Sequence, residues 1–461
     1  MKKILFIFFT LSFWLIFNKS ILASQNIFGL HLTQTSDIDS AKDIINSNGG
    51  DWGWITIVIS LNNLDQKTWQ DFFDKCRKFH IIPILRLATL GEGDNWKRPT
   101  TSDIDNLSNF LNSLNWPTKE QYVILFNEPN HAQEWGGVVD VKNFVDISIY
   151  TSKKLKELNP NFYILSGALD LAAPDKKTEY KSAKSFYQEI WNYSPDYFNN
   201  IDGIASHSYP NHGFIGTPKD TGQHSIQGYK WEIEFIKKLG VSKNLSVFIT
   251  ETGWPHKEGI NKRNNFYTTT TTAKFLIDSY NLWSKDSQIK AITPFIYNYP
   301  NEPFDHFSWL DSTEKLYPSY QNLIDYSKNK NNPEQITKYE FYKNQIPFLI
   351  FGNTQYSGQI SLKNTGQSIW GETNFCIQPT SNNELIEITP LCTTSGEKIY
   401  PNQIKIFSFK FKIKQSGNQK VSLSWENIPN IYISSFSDEA AIYHTQFNLI
   451  DKIKSFFTKF W

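Results

Sequence analysis

An alternation of short apolar runs with longer stretches of helical spacing constrains this chain more than any other feature. The runs fall at residues 27–32, 54–61, 81–88, 122–126, 162–168, 201–209, 245–251 and 289–297. Helical spacing follows each of them, at 37–47, 65–80, 103–114, 141–158, 179–193, 225–239, 264–284 and 318–327. The second helix shows the pattern clearly, with Trp69, Phe72, Phe73, Cys76 and Phe79 recurring on one face. Ser36 is positioned to cap the first. Runs such as Tyr122 to Phe126 are apolar throughout, as expected of parallel strands covered on both faces. Repeated strand–helix units over about 300 residues predict an α/β fold in which a parallel sheet closes into a (β/α)8 barrel.

Two of these runs end on a carboxylate. QYVILFNEPN ends its apolar part at Asn127-Glu128-Pro129, and Pro129 cannot donate a ladder hydrogen bond, so the strand stops there. LSVFITETGWP delivers Glu251 in the same way, followed by Gly253, Trp254 and Pro255. Other strand ends carry polar groups too: His31 on the first, Arg86 on the third, and His207-Ser208-Tyr209 on the sixth. Arg within a buried strand is costly unless paired, and Glu251 is the obvious partner. A nearby cation would also keep that carboxyl ionised. The plain alternative for His31, His207 and Tyr209 is a satisfied polar residue of the core. For Arg86 it is a structural ion pair.

FNEPN and TETGWP together resemble the strand-four and strand-seven motifs of clan A glycoside hydrolases, the (β/α)8 enzymes that include cellulases, mannanases, β-1,3-glucanases and β-xylosidases. The resemblance covers roughly residues 25–326. It implies a retaining β-glycosidase with Glu128 as acid/base and Glu251 as nucleophile, the pair about 5 Å apart. It further implies that Asn127 binds the sugar 2-hydroxyl, that Tyr209 hydrogen-bonds the nucleophile, and that His207 lines the sugar subsite; His31 is a further substrate-binding candidate. Trp309 resembles the strand-eight tryptophan platform, and Trp254 and Trp135 are further stacking candidates or packing residues. A second Asn-Glu-Pro, at Asn301 to Pro303, follows the eighth run, where the family has no acid, and Glu302 is read as a solvated loop residue. The alternative from another class is a non-catalytic cell-surface glycan-binding protein on the same barrel.

Composition excludes several functions. The formal charge of +1 offers no nucleic-acid surface. The nine His show no close metal-ligand spacing, Ser166-Gly167 lacks a nucleophile elbow, and no phosphate loop is present. No cofactor and no metal are expected, and the partner is a polysaccharide or oligosaccharide substrate of a monomeric enzyme.

The ends of the chain differ from its middle. Lys2 and Lys3 precede an apolar run at residues 4–17, too short for a membrane span and suited to a signal peptide over 1–23, with cleavage near Ala23. An uncleaved anchor is the alternative. Cleavage removes three Lys and takes the charge from +1 to −2. A secreted or cell-surface location follows. After the barrel at 24–328 and a polar linker at 329–335, alternating short strands at 340–349, 358–364, 375–378, 404–413 and 420–425 predict a β-sandwich over 336–440. Its SLKNTGQSIW segment resembles immunoglobulin-like modules. It either binds glycan or braces the barrel, and Cys376 and Cys392 within it are available to pair in an exported protein. The tail at 441–461 places Leu449, Ile450, Ile453, Phe456, Phe457 and Phe460 on one face flanked by Lys, a surface suited to a membrane, to a partner or to packing on the protein itself.

Overall fold

The computed structural model describes residues 25–436 except 348, 373, 382, 383, 415, 416 and 418. The leader and the tail lie outside the described residues. Eight parallel strands form one sheet in sequential order: β1 Gly29–Leu32, β2 Gly53–Ser60, β3 Ile81–Ala88, β4 Gln121–Ile124, β5 Phe162–Leu165, β6 Gly203–His207, β7 Ser246–Glu251 and β8 Ile289–Ile292. A parallel bridge between Phe28 and Ile292 joins last to first, with the Ile292 N–H donating to the Ile27 carbonyl at 2.8 Å, so the sheet closes into a barrel. A helix follows each strand: α1 Ile38–Ile45, α2 Gln66–Lys78, α3 Thr101–Ser113, α4 Val141–Leu158, α5 Ala183–Tyr193, α6 Gly228–Leu239, α7 Thr269–Trp283 and α8 Gln321–Asp325.

The barrel forms because each strand buries both faces. Inside, Trp54, Ile84, Tyr122, Ile124, Leu165 and Phe248 pack on one another, with Trp54 edge-on to Tyr122 at 5.1 Å. Outside, strand residues such as Ile55, Leu85 and Val123 meet the apolar faces of the helices, including Trp69, Phe72 and Phe73 of α2. Helix starts are fixed locally. Asp65, Asp140, Ser182 and Thr268 each accept a first-turn N–H, and Thr100 with Asp103 forms a reciprocal capping box. Ser36 is not a cap. It lies inside a 3-10 turn, Thr35–Asp37, that runs directly into α1, so Asp37 precedes the helix without a side-chain bond.

The C-terminal region is β-rich. Tyr339–Gln345, Gln355–Asn364, Ile404–Ile413 and Ile386–Ile388 form one sheet, and Leu349–Phe351, Ile431–Phe436 and Gln419–Leu423 form another. Both contribute to one apolar core that includes Ile360, Phe407, Phe409, Leu423 and Ile433. Cys376 and Cys392 stand opposite each other on a short antiparallel pair and are joined by a disulfide. Cys76 is a buried free thiol on the inner face of α2. The linker is pinned rather than loose. Asn331 donates to the carbonyls of Asn26 and Trp52 at 2.6 and 2.8 Å, and the Lys119 N–H donates to the Glu334 carbonyl. The β-rich region docks on the barrel floor through Asn115 to Gly366, Gln367 to Thr118, and His80 between Asp51 and Glu372. Among the described residues no helix is long and apolar enough to cross a membrane.

Phe248 is fully enclosed at the centre of the barrel, touching Trp54, Tyr122 and Tyr163. Phe248→Ala should lower stability by about 3–5 kcal/mol, because the cavity cannot collapse between closed strands. Denaturant midpoints of the barrel transition measure it, and a loss below about 1 kcal/mol would contradict this packing.

Candidate active site

In a parallel barrel every strand points its C-terminal end at one face, so the polar strand ends must converge there. They do. A cavity of about 710 Å³ at that face is lined by His31, Arg86, Asn127, Glu128, Tyr209 and Glu251, among others. His207 is enclosed beneath it, with its Nδ1 bonded to Glu128. Another cavity, of about 610 Å³, lies at the opposite face. Lys119 pairs there with Glu334 and Lys156 with Asp202, and it holds none of these strand-end groups.

Arg86 reaches from β3 across the barrel. Its Nη1 donates to Glu251 Oε1 and to Asn127 Oδ1, both at 2.6 Å. Tyr209 donates its hydroxyl proton to the other oxygen of Glu251 at 3.1 Å. His207 Nδ1 is 2.7 Å from Glu128 Oε1 and 3.6 Å from Glu251 Oε2, so one imidazole faces both carboxyls. His31 Nδ1 is 3.7 Å from Glu251 Oε1. An oxygen of Glu128 and an oxygen of Glu251 lie within 4.8 Å of each other. The Glu251 side chain is 10% exposed against 20% for Glu128. The backbone at the end of β4 is strained to deliver these groups, with φ of +69° at Phe126 and +27° at Glu128, conformations that L residues rarely adopt.

The electrostatics separate the groups. Burial would raise the pKa of Glu251, but His207, Arg86 and the Tyr209 hydrogen bond together outweigh it and hold the carboxyl below its ordinary value. Burial would lower His207, yet Glu251 and the bonded Glu128 raise it. His31 goes the other way, down to about 3, because burial dominates and Arg86 and His207 add to it. It is therefore neutral. Burial, with Glu251 and Glu128 beside it, raises Tyr209 and keeps it a hydrogen-bond donor.

Among the described residues, Glu128, His207 and Glu251 bring three possible metal-ligand atoms together. A cation there would compete with the Arg86 guanidinium for Glu251 and feel its charge at close range, so the donor set fits a proton-transfer pair better than a metal.

The expected tryptophans are not in this cavity. Trp309 is 1% exposed and stacks on Tyr320 of the chain leading into α8, at 4.9 Å with 6° between planes. Trp254 is buried against Phe275, with its N–H donated to the Gly216 carbonyl. Trp135 is enclosed by Phe126 and Phe144. All three have their ring faces covered by the protein and serve packing. The aromatic wall is built instead from Phe214, Phe295, Phe304 and Phe307, with Tyr299 and Trp96 at the rim. Sequence reasoning also missed His131, Glu134 and Asp170 in the lining. His131 Nε2 is 2.9 Å from Asp170. Their signal was proximity: His131 and Glu134 follow Glu128 in the same loop, and Asp170 follows β5. Glu302 lies exposed on the loop after β8, bonded to Asn261 and near Arg263.

No protein-family model matches the chain, and no curated protein matches it significantly. Solved structures similar to it include a family 39 glycoside hydrolase from the gut symbiont Bacteroides cellulosilyticus WH2, at 13% identity and TM-score 0.45, covering 85% of this chain and 81% of that one. An α-L-arabinofuranosidase from Thermotoga maritima matches at 11% identity and TM-score 0.44, covering 84% and 96%. A glucosidase from Croceicoccus marinus matches at 7% identity and TM-score 0.49, covering 85% and 96%. These structural neighbours are glycoside hydrolases. The parallel eight-strand barrel is consistent with the clan A (β/α)8 architecture. The likeness is remote, and what the site does rests on its own geometry.

Arg86→Met removes the guanidinium and keeps most of the volume. Glu251 should then titrate at a pH higher by about one unit or more, since a cation in contact favours the carboxylate. Carboxyl-carbon NMR of the two proteins measures this. An unmoved Glu251 titration would show that Arg86 does not hold its charge.

Proposed function

We propose that the chain is a retaining glycoside hydrolase acting on β-linked glycans, with Glu251 as nucleophile and Glu128 as acid/base. The observation that carries this reading is the separation of the two carboxyls. An oxygen of each lies within 4.8 Å of the other, which is nearer the roughly 5–5.5 Å spacing of double displacement than the roughly 6.5–9.5 Å of an inverting pair. In the first step Glu251 attacks the anomeric carbon while Glu128 gives its proton to the leaving oxygen. In the second, Glu128 takes a proton from water as that water displaces Glu251. Each step leaves both groups ready for the next.

The surroundings support the division of labour. Glu251 has its charge held by Arg86 and His207, and its orientation fixed by Tyr209. Glu128 is the more exposed and has one side-chain partner, His207, so it can exchange a proton with substrate and water. The phenylalanine wall offers apolar surface to the C–H faces of sugar rings. Asn127, bonded to Arg86, is the candidate for the 2-hydroxyl. Export to an oxidising compartment is part of the proposal, supported by the Cys376–Cys392 disulfide. So is an immunoglobulin-like sandwich that braces the barrel of a monomer, supported by the contacts across the barrel floor.

Purified protein offered a panel of β-linked polysaccharides should release reducing sugar from at least one. Glu251→Gln should reduce that turnover by several orders of magnitude while glycan binding persists, because the shape survives and the attacking charge does not. A variant with a substantial fraction of the native rate would remove Glu251 from the role. Retention of glycan without cleavage by the native protein would favour the glycan-binding alternative.

Glu128→Ala should slow substrates with poor leaving groups by about 10²–10⁴-fold and activated aryl glycosides far less, since the latter need little protonation. Azide should restore turnover of the activated substrate and yield a β-glycosyl azide. Equal losses on both substrates without rescue would contradict the acid/base role.

A further inference from the structure

Two cavity residues, Trp96 and Glu134, have no part in the two steps above. Both line the mouth cavity, and both also face a side cavity of about 20 Å³ that shares Arg86 and Asn127 as walls. We propose that Trp96 and Glu134 form a second sugar subsite on the nucleophile side of the scissile bond, which takes a neutral sugar unit of the same glycan. The inference rests on the glycosidase reading and deepens it: the substrate carries at least two sugar units on the side that becomes bonded to Glu251.

The two residues come from different strands but are fixed as one body. Trp96 ends a small hairpin, Gly91–Glu92 with Asn95–Trp96, in the loop after β3. Glu134 ends a 3-10 turn, Ala132–Glu134, in the loop after β4. The Gly136 N–H donates to the Trp96 carbonyl at 2.9 Å. Arg98 then clamps the second loop, donating to the carbonyls of Trp135 and Val138 and to Asp140 at 3.1–3.3 Å. A half-buried indole and a half-buried carboxyl are thus presented side by side at low entropic cost. An aromatic face suits the apolar face of a pyranose, and a carboxyl suits its hydroxyls.

The position follows from the hydrogen bonds. Glu251 is bonded to Arg86, Arg86 to Asn127, and Arg86 and Asn127 line the same side cavity as Trp96 and Glu134. Glu134 therefore shares its cavity wall with Arg86, the partner of Glu251, whereas His131 and Asp170 line the mouth cavity but not the side cavity. The charge selects the sugar class. An acidic sugar here would meet Glu134, Glu128 and Glu251 together, so a neutral unit is favoured. Burial, with Glu128 and Glu251 adding and Arg86 opposing, pushes Glu134 up to about 7, so the carboxyl changes from donor to acceptor close to neutrality.

The test uses the full chain and aryl β-glycosides of one sugar and of its β-linked disaccharide. The readout is the ratio of kcat/KM for disaccharide over monosaccharide. Trp96→Ala and Glu134→Gln should each lower that ratio roughly tenfold, mainly through KM, and Trp96→Tyr should recover much of it. Glu134→Gln should also flatten the pH dependence of KM around neutrality. An unchanged ratio in both variants overturns the subsite. Calorimetric binding of neutral β-linked tetrasaccharides of glucose, mannose, xylose and galactose separates this from failure of the glycosidase reading. If the native chain cleaves nothing yet binds one of them, weaker binding by both variants upholds the subsite alone. Equal binding by native and variant chains overturns it, and binding of none overturns it together with the glycosidase reading.

Discussion

The ion pair between Arg86 and Glu251 is the interaction on which the site depends. A guanidinium inside a barrel of Ile, Leu and aromatic side chains loses most of its hydration, at a cost of several kcal/mol that only a well-placed anion can offset. One Nη1 atom meets Glu251 and Asn127 at the same short distance, so the ends of β3, β4 and β7 are held in a single arrangement. Such pairs are poor sources of net stability, since apolar residues of similar volume often serve as well. Its value here lies in what it does to Glu251. A buried carboxyl would otherwise protonate, and the cations around it reverse that tendency.

The same constraint explains the strain nearby. Phe126 and Glu128 both have positive φ, at an expected cost on the order of 1–3 kcal/mol each. The surrounding bonds over-determine that shape. The Leu125 N–H is donated to Leu165, the His131 N–H returns to the Glu128 carbonyl, and His207 holds the Glu128 carboxyl. A relaxed turn would carry Glu128 away from both His207 and Glu251. Strain that coincides with the candidate acid, and is locked by three separate contacts, is what preorganisation of a proton-transfer group looks like.

Much of this was legible in the sequence because parallel barrels write their layout into strand runs. The bounds Ile81–Ala88 and Val141–Leu158 were read from periodicity alone, since those segments stop at sharp chemical breaks. The convergence of Arg86, Glu128, His207, Tyr209 and Glu251 followed from strand ends together with the resemblance to clan A glycoside hydrolases. Ring direction did not. Trp254 and Trp309 sit where a platform is expected, but which face of an indole meets solvent depends on residues such as Phe275 and Tyr320, which are distant in sequence or lie on another element. The wall falls to Phe295 and Phe307, which no local pattern distinguishes from core residues. In the C-terminal region, strands of two or three residues such as Leu391–Cys392 and Ile386–Ile388 are too short to show alternation. The first helix failed at its start for a related reason. A 3-10 turn supplies by backbone continuity what a capping side chain supplies elsewhere, and Ser36 carries no sign of the difference.

Two carboxyls this close would resist ionising together if their surroundings were alike. Their surroundings are not alike. Glu251 is enclosed, with Arg86 on one oxygen and Tyr209 on the other. Glu128 is more open, with His207 on one oxygen. His207 faces both, and the two carboxyls raise its pKa against the effect of burial. His207 lies against one oxygen of each carboxyl, whereas Arg86 lies against Glu251. Replacing His207 with an apolar residue would take away the side-chain partner of Glu128 and leave the bond from Arg86 to Glu251 in place.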